Sequence, residues 1–130
     1  MPLFRLRQAA ELLGVSDDTL RRWADAGRFP TTTDDAGRRA VEGEELARFA
    51  QELAGEPVVA GSRASARNAF PGLVLRVVKD TVMAQVELQA GPYRVVSLMS
   101  REAADELDLR PGVLAVARVK STSVVVEVPP

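Results

Sequence analysis

The hydrophobic period changes once along this chain, near residue 60, and that change constrains the fold more than any other feature. Ahead of it, apolar residues recur at helical spacing. Behind it, β-branched residues dominate and alternate with polar ones. The segment between, Ala54-Gly55-Glu56-Pro57-Val58-Val59-Ala60-Gly61-Ser62-Arg63-Ala64, consists largely of Gly, Pro and small residues and reads as a linker. The 130 residues are therefore expected to form an α+β chain of two small domains, residues 1–53 and 65–130, joined by residues 54–64. Cores of that size are marginal alone, so a homo-oligomer is expected.

Leu6, Ala9, Ala10 and Leu13 fall at i, i+3, i+4 and i+7, one apolar stripe of a first helix. Gly14 suits the left-handed residue that closes it. Ser16 is placed to cap a second helix, with Asp17 and Asp18 in the first turn, where the helix dipole favours acids. Val15 and Leu20 occupy the two positions of a hydrophobic staple. Leu20, Trp23 and Ala24 continue the buried face, and Gly27 and Pro30 end it. Thr31 to Arg39 is short and turn-rich. A third helix starts near Gly43, with Leu46, Phe49, Ala50 and Leu53 on its apolar face. Two short helices meeting at Gly14, then a hairpin-like loop, describe a three-helix winged helix-turn-helix.

Charge separates what this domain can do from what it cannot. Residues 1–53 carry eight basic and ten acidic groups, net -2, which excludes a bulk-basic binder. Arg21, Arg22, Arg28, Arg38 and Arg39 nevertheless gather on the second helix and the loop. The acids Glu42, Glu44, Glu45 and Glu52 fall on or beside the third helix, so a near-neutral domain presents one basic face. The chain has no Cys and no His. Disulfides, zinc fingers, imidazole metal sites and His- or Cys-dependent nucleophiles are thereby excluded. No Gly-rich phosphate loop and no isolated carboxylate pair is present, so an enzyme is not expected. No apolar run approaches the roughly 18 residues of a membrane span. Met1-Pro2-Leu3-Phe4-Arg5 lacks a signal-peptide core, and the chain reads as soluble and cytoplasmic with no membrane partner.

Residues 3–53 resemble the MerR/excisionase-like DNA-binding family. The resemblance rests on Ala9-Ala10-Glu11-Leu12-Leu13-Gly14-Val15-Ser16, Thr19-Leu20-Arg21-Arg22-Trp23, Gly27-Arg28-Phe29-Pro30, Gly37-Arg38-Arg39 and Glu45-Leu46. It implies that the second helix enters the major groove of double-stranded DNA, with the loop as a wing on backbone or minor groove. The contact set so implied is Ser16, Thr19, Arg21, Arg22, Arg38 and Arg39. Arg39 falls at the family's wing arginine, and Ala40 stands where a second Arg or an aromatic often follows.

The second half offers five strand candidates: Leu73–Val78, Val82–Leu88, Tyr93–Met99, Val113–Val119 and Ser123–Val128. Lys79-Asp80-Thr81, Gln89-Ala90-Gly91-Pro92 and Arg110-Pro111-Gly112 are turn-like. Ser100 to Leu107 reads as a short helix capped by Ser100, with Ala103, Ala104 and Leu107 facing inward. Five strands with a helix before the fourth predict an OB-like β-barrel.

Ser65-Ala66-Arg67-Asn68, Pro71-Gly72, Met99-Ser100-Arg101-Glu102, Leu107-Asp108-Leu109-Arg110-Pro111-Gly112 and Val119-Lys120-Ser121-Thr122-Ser123-Val124 resemble one Mop/TOBE domain, the molybdate-binding module of molbindins and molybdate-responsive regulators. The resemblance implies that molybdate or tungstate is the ligand. It also implies that single domains assemble with oxyanion sites between subunits, and that the binding positions are Ser65, Ala66, Arg67, Ser100, Lys120 and Ser121. The residue types suit that task. A tetrahedral dianion needs positive charge and many hydrogen-bond donors. Arg67 and Lys120 supply charge, and Ser65, Ser100 and Ser121 supply hydroxyls. Backbone N–H groups at Ala66, Ser121 and the helix start at Ser100 add donors. Metal enters only as the oxyanion, without metal-ligating side chains or a catalytic cofactor. Ala103 stands where the family often has Ser or Thr. Taken singly, Arg67 reads more readily as a surface arginine of the linker than as a ligand, Lys120 as a solvated edge-strand lysine and Ser100 as a helix cap.

The two halves together predict a molybdate- or tungstate-responsive DNA-binding transcriptional regulator. Two other readings remain open from sequence. One is a molybdate storage or buffering protein with an accessory helical domain. The other is a DNA-binding protein whose second half serves only to oligomerise it.

Overall fold

The computed structural model describes residues 2–54 and 64–130. The chain divides into two compact units, Met1–Glu56 and Pro57–Pro130. Most of the expected linker, residues 55–63, lies outside the described residues; Ala54 and Ala64 flank it.

In the first unit, β1 (Leu3–Arg5) runs into α1 (Leu6–Leu13), followed by α2 (Asp17–Asp25), β2 (Thr32–Thr33), β3 (Arg39–Glu42) and α3 (Gly43–Ala54). Gly14 sits at φ 70°, where a side chain on Cβ would be strained, and its amide donates to the carbonyls of Ala10 and Glu11. Ser16 Oγ accepts from the Thr19 amide at 3.1 Å, the cap expected from sequence. The apolar faces converge on one core: Leu6, Ala9 and Ala10 from α1, Leu20 and Ala24 from α2, Phe29, Val41, and Leu46 and Phe49 from α3. Trp23 is half-buried against this core, edge-on to Phe49 at 5.5 Å between centroids. The Arg28 guanidinium lies over Trp23 at 5.2 Å, a cation–π contact that closes the core with a charged residue.

The wing is more ordered than its turn-rich sequence shows. β2 and β3 pair antiparallel, and β1 adds on the other side of β3, giving the order β1-β3-β2. These strands have two to four residues, too short for alternation to register in the sequence. Their pairing places Arg5 opposite Ala40, at the base of the wing.

The second unit is one antiparallel sheet of order β6-β5-β4-β7, from β4 (Asn68–Lys79), β5 (Met83–Ala90), β6 (Tyr93–Ser100) and β7 (Leu114–Val119). α4 (Arg101–Glu106) follows β6, with Ser100 Oγ accepting from the Ala103 amide at 3.1 Å. β4 starts five residues before the expected strand because its Asn68–Leu73 half pairs with β7 while the rest pairs with β5. A register shift between Val74 and Arg76 lets one strand serve both neighbours. At Gly72 the strands approach so closely that a Cβ would lie 2.5 Å from the Gln89 carbonyl oxygen.

Two expectations are corrected here. Ser123–Val128 is not a fifth strand: a 3-10 turn covers Ser121–Ser123, and residues 124–130 carry no regular structure. Its valines have the right propensity, but a strand also needs a partner, and Val125, Val126 and Val128 are 91%, 85% and 86% exposed. The sheet is accordingly curled and open rather than a closed five-stranded barrel. Leu107, expected inside, is 64% exposed because α4 ends before it; Leu109 packs on the core instead. That core is small, with Val74, Val86 and Leu88 buried at its centre. An apolar cavity of about 260 Å³, lined by residues including Val95, Met99, Leu109 and Ala115, adjoins it. Among the described residues no helix is long and apolar enough to cross a membrane.

Candidate functional site

In the second unit the site residues expected from sequence separate into two groups. Asn68 pairs with Val119 across β4 and β7, and the Asn68 side-chain amide donates to the Val119 carbonyl at 3.0 Å. This staple sets Ser65, Ala66 and Arg67, just before β4, beside Lys120 and Ser121, just after β7. All five are accessible, and neither segment contains a carboxylate. Arg118, opposite Ala69, adds a third cation at this end of the sheet. Among the described residues Arg67, Arg118 and Lys120 form no ion pair.

Ser100 belongs to the other group. It pairs with Met83, next to the Lys79–Ala84 pair at the far end of β4. β4 has 12 residues, so several strand rises of about 3.3 Å each separate Ser100 from Lys120. Around Ser100 the donors are already engaged. The Arg101 amide donates to the Val82 carbonyl at 2.8 Å, and Lys79 Nζ binds Asp105 at 2.5 Å, drawing the Asp105 carboxyl below its ordinary range. Arg101 reaches the Asp80 carbonyl and the Asp105 carboxylate. One copy of the chain therefore does not bring all six positions together.

The first unit places its expected residues on α2 and the wing. Ser16 Oγ also donates to Thr19 Oγ1 at 2.8 Å, and Arg22 Nη2 donates to the same oxygen at 3.4 Å. The Ser16 cap thus orients both Thr19 and Arg22. Arg21 Nε is 3.4 Å from Asp17. On the wing, Asp34 Oδ1 accepts from the amides of Ala36 and Arg38, both at 2.9 Å, and its carboxylate pairs with Arg38. Arg39 Nη1 binds Asp25 Oδ1 at 2.6 Å, which straps the wing to the end of α2. Arg39 is therefore already engaged in an ion pair.

Two arginines that the sequence reading left out stand on this same surface. Arg5, ending β1, and Arg7, in the first turn of α1, line a cleft with Arg21, Arg38 and Arg39. The signal for Arg5 was available only through the β1–β3 pairing, which brings it to the wing.

Residues 64–126 match the family model described as the TOBE domain, and residues 3–54 match the model described as a helix-turn-helix domain. Over 63 residues the chain is 38% identical to molybdenum-pterin-binding protein 2 of Clostridium pasteurianum, covering 48% of this chain and 93% of that protein. The cytoplasmic molybdate-binding protein ModG, in a structure with molybdate bound, matches at 37% identity and a TM-score of 0.51, over 54% of this chain and 50% of that one. A molybdate-binding protein from Sporomusa ovata matches at 32% identity and a TM-score of 0.49, over 51% of this chain and 98% of that one.

Proposed function

We propose, from the premise that this chain belongs to the TOBE-domain family over residues 64–126 and carries a helix-turn-helix domain over residues 3–54, that it is a molybdate- or tungstate-responsive DNA-binding regulator. Neither matched family is enzymatic. Residues 1–53 form its DNA-binding domain and residues 65–130 its oxyanion domain, with 54–64 between them.

One observation carries the ligand half of this reading: the Asn68–Val119 staple that sets Arg67 beside Lys120 in segments free of carboxylates. Two cations offset the charge of a tetrahedral dianion, and its four oxygens need donors on several sides. Ser65 and Ser121 hydroxyls and the amides of Ala66 and Ser121 supply them. The molybdate bound by ModG supports the choice of oxyanion. Ser100, at the other end of the sheet, joins the site from a second copy, which makes the functional form a homo-oligomer. In the DNA half, Thr19, Arg21 and Arg22 reach the duplex from α2 with Ser16 as their cap, and Arg38 and Arg39 reach it from the wing.

Calorimetric titration of the full-length protein with molybdate, tungstate and sulfate tests the ligand. Arg67→Ala and Lys120→Ala should each cost about 2–5 kcal/mol if the bound charges are desolvated; equal affinity in wild type and both variants overturns this site. Duplex binding measured with and without molybdate tests the regulator. Relatives known for molybdate binding favour storage as the competing reading. Tight molybdate binding with no salt-dependent duplex binding decides for it.

A further inference from the structure

The cleft beside the wing is lined by Arg5, Leu6, Arg7, Arg21, Arg38 and Arg39 and encloses about 340 Å³. Three separate parts of the first unit supply its five guanidinium groups: the β1–α1 junction, α2 and the wing. No carboxylate lines it. Arg21, Arg38 and Arg39 have acidic neighbours in Asp17, Asp34 and Asp25. Among the described residues Arg5 and Arg7 form no direct ion pair, although the charge of Arg5 is felt at Asp34. Like charges gathered this closely repel one another, and among the described residues no carboxylate is paired with Arg5 or Arg7. The arrangement is favourable when an external anion sits among them. Guanidinium groups match phosphate oxygens two at a time. The cleft also opens on the surface that carries Arg21 and the wing, so a duplex lying along α2 would bring its backbone to it.

We propose that Arg5 and Arg7 complete a phosphate clamp, in which this cleft seats a phosphodiester group of the DNA backbone. The proposal rests on the reading of the first unit as a DNA binder and extends that interface past α2 and the wing. A clamp of this kind fixes the position of the protein on the duplex and carries no base preference.

The experiment uses full-length protein and a mixed-sequence duplex, with binding followed by fluorescence anisotropy across a salt series. Arg7→Ala and Arg5→Ala should each flatten the slope of log K against log salt by about 0.9, equally on duplexes of unrelated sequence. Arg7→Lys should restore most of the slope, and Arg48→Ala, on α3 and paired with Glu45, should leave it unchanged. Thermal melts confirm that each variant is folded, and Arg7 carries the test if Arg5→Ala unfolds α1. Wild-type slopes in Arg7→Ala and in a folded Arg5→Ala, while Arg22→Ala weakens binding, overturn the clamp and leave the DNA reading standing. Absence of salt-dependent duplex binding in the wild type overturns both. Inorganic phosphate that binds in an Arg7-dependent way, without any effect of Arg7→Ala on the duplex, overturns the clamp in favour of a free-anion site.

Discussion

At the tip of the wing, the Asp34 carboxylate holds the turn closed by accepting from the Ala36 and Arg38 amides. The Arg38 amide is the main cause holding its carboxyl below the ordinary value of 3.8, with smaller help from the Ala36 amide and from the charges of Arg38 and Arg5. A carboxyl with a lowered pKa in the folded state contributes stability that is complete above its unfolded value and lost as pH falls through the folded one. The wing turn should therefore loosen only below about pH 4, as the Asp34 carboxyl takes up its proton. Amide chemical shifts of Ala36 and Arg38 followed down in pH check this; shifts that stay put while α1 and α2 melt would refute it. Asp80 is built the same way, accepting from the Val82 and Met83 amides, and its carboxyl is lowered for that reason. Features at this scale were the most legible in the sequence. Ser16 and Ser100 as caps and Gly14 as a left-handed terminator depend on neighbours within about four positions. Arg39 was legible as a wing residue but not as the partner of Asp25, 14 positions away, because side-chain pairing across elements leaves no local pattern.

Between elements, the decisive contact is backbone against backbone at Gly72. Gly72→Ala would drive a methyl group into the Gln89 carbonyl, and neither strand can yield without breaking ladder hydrogen bonds. We expect a loss of about 1–3 kcal/mol, in the range of overpacked cores, read as a lower midpoint in chemical denaturation; an unchanged midpoint would mean that the sheet relaxes freely there. β5 and β6 were visible in the sequence because they alternate over eight residues each. β1, β2 and β3 were not, since strands of two to four residues give no period to read. The opposite error fell on Ser123–Val128, where residue preference was clear and pairing was absent. Strand propensity reports fitness for a sheet surface and says nothing about which chain supplies the neighbour.

For the whole molecule, the open sheet and the bare valines point to self-association. Val126 is 85% exposed, so Val126→Glu should leave the monomer fold intact while weakening assembly. Sedimentation of wild type and variant over a range of concentrations checks this, and identical profiles would place the contact elsewhere. The sequence names candidate oxyanion residues one by one, and the approach of Ser65–Asn68 to Lys120–Thr122 was expected, but not the distribution that sets Ser100 apart from them. It follows from the Asn68–Val119 and Met83–Ser100 registers, which tie residues far apart in the chain. With Ser100 and Lys120 at opposite ends of one sheet, a receptor completed by two copies responds to two quantities at once. Its apparent affinity for the anion rises with the concentration of the protein itself, because assembly and binding are linked. If the proposed regulator works this way, the oxyanion level at which DNA occupancy changes belongs to the population of chains, and doubling their number moves the threshold without altering a single contact.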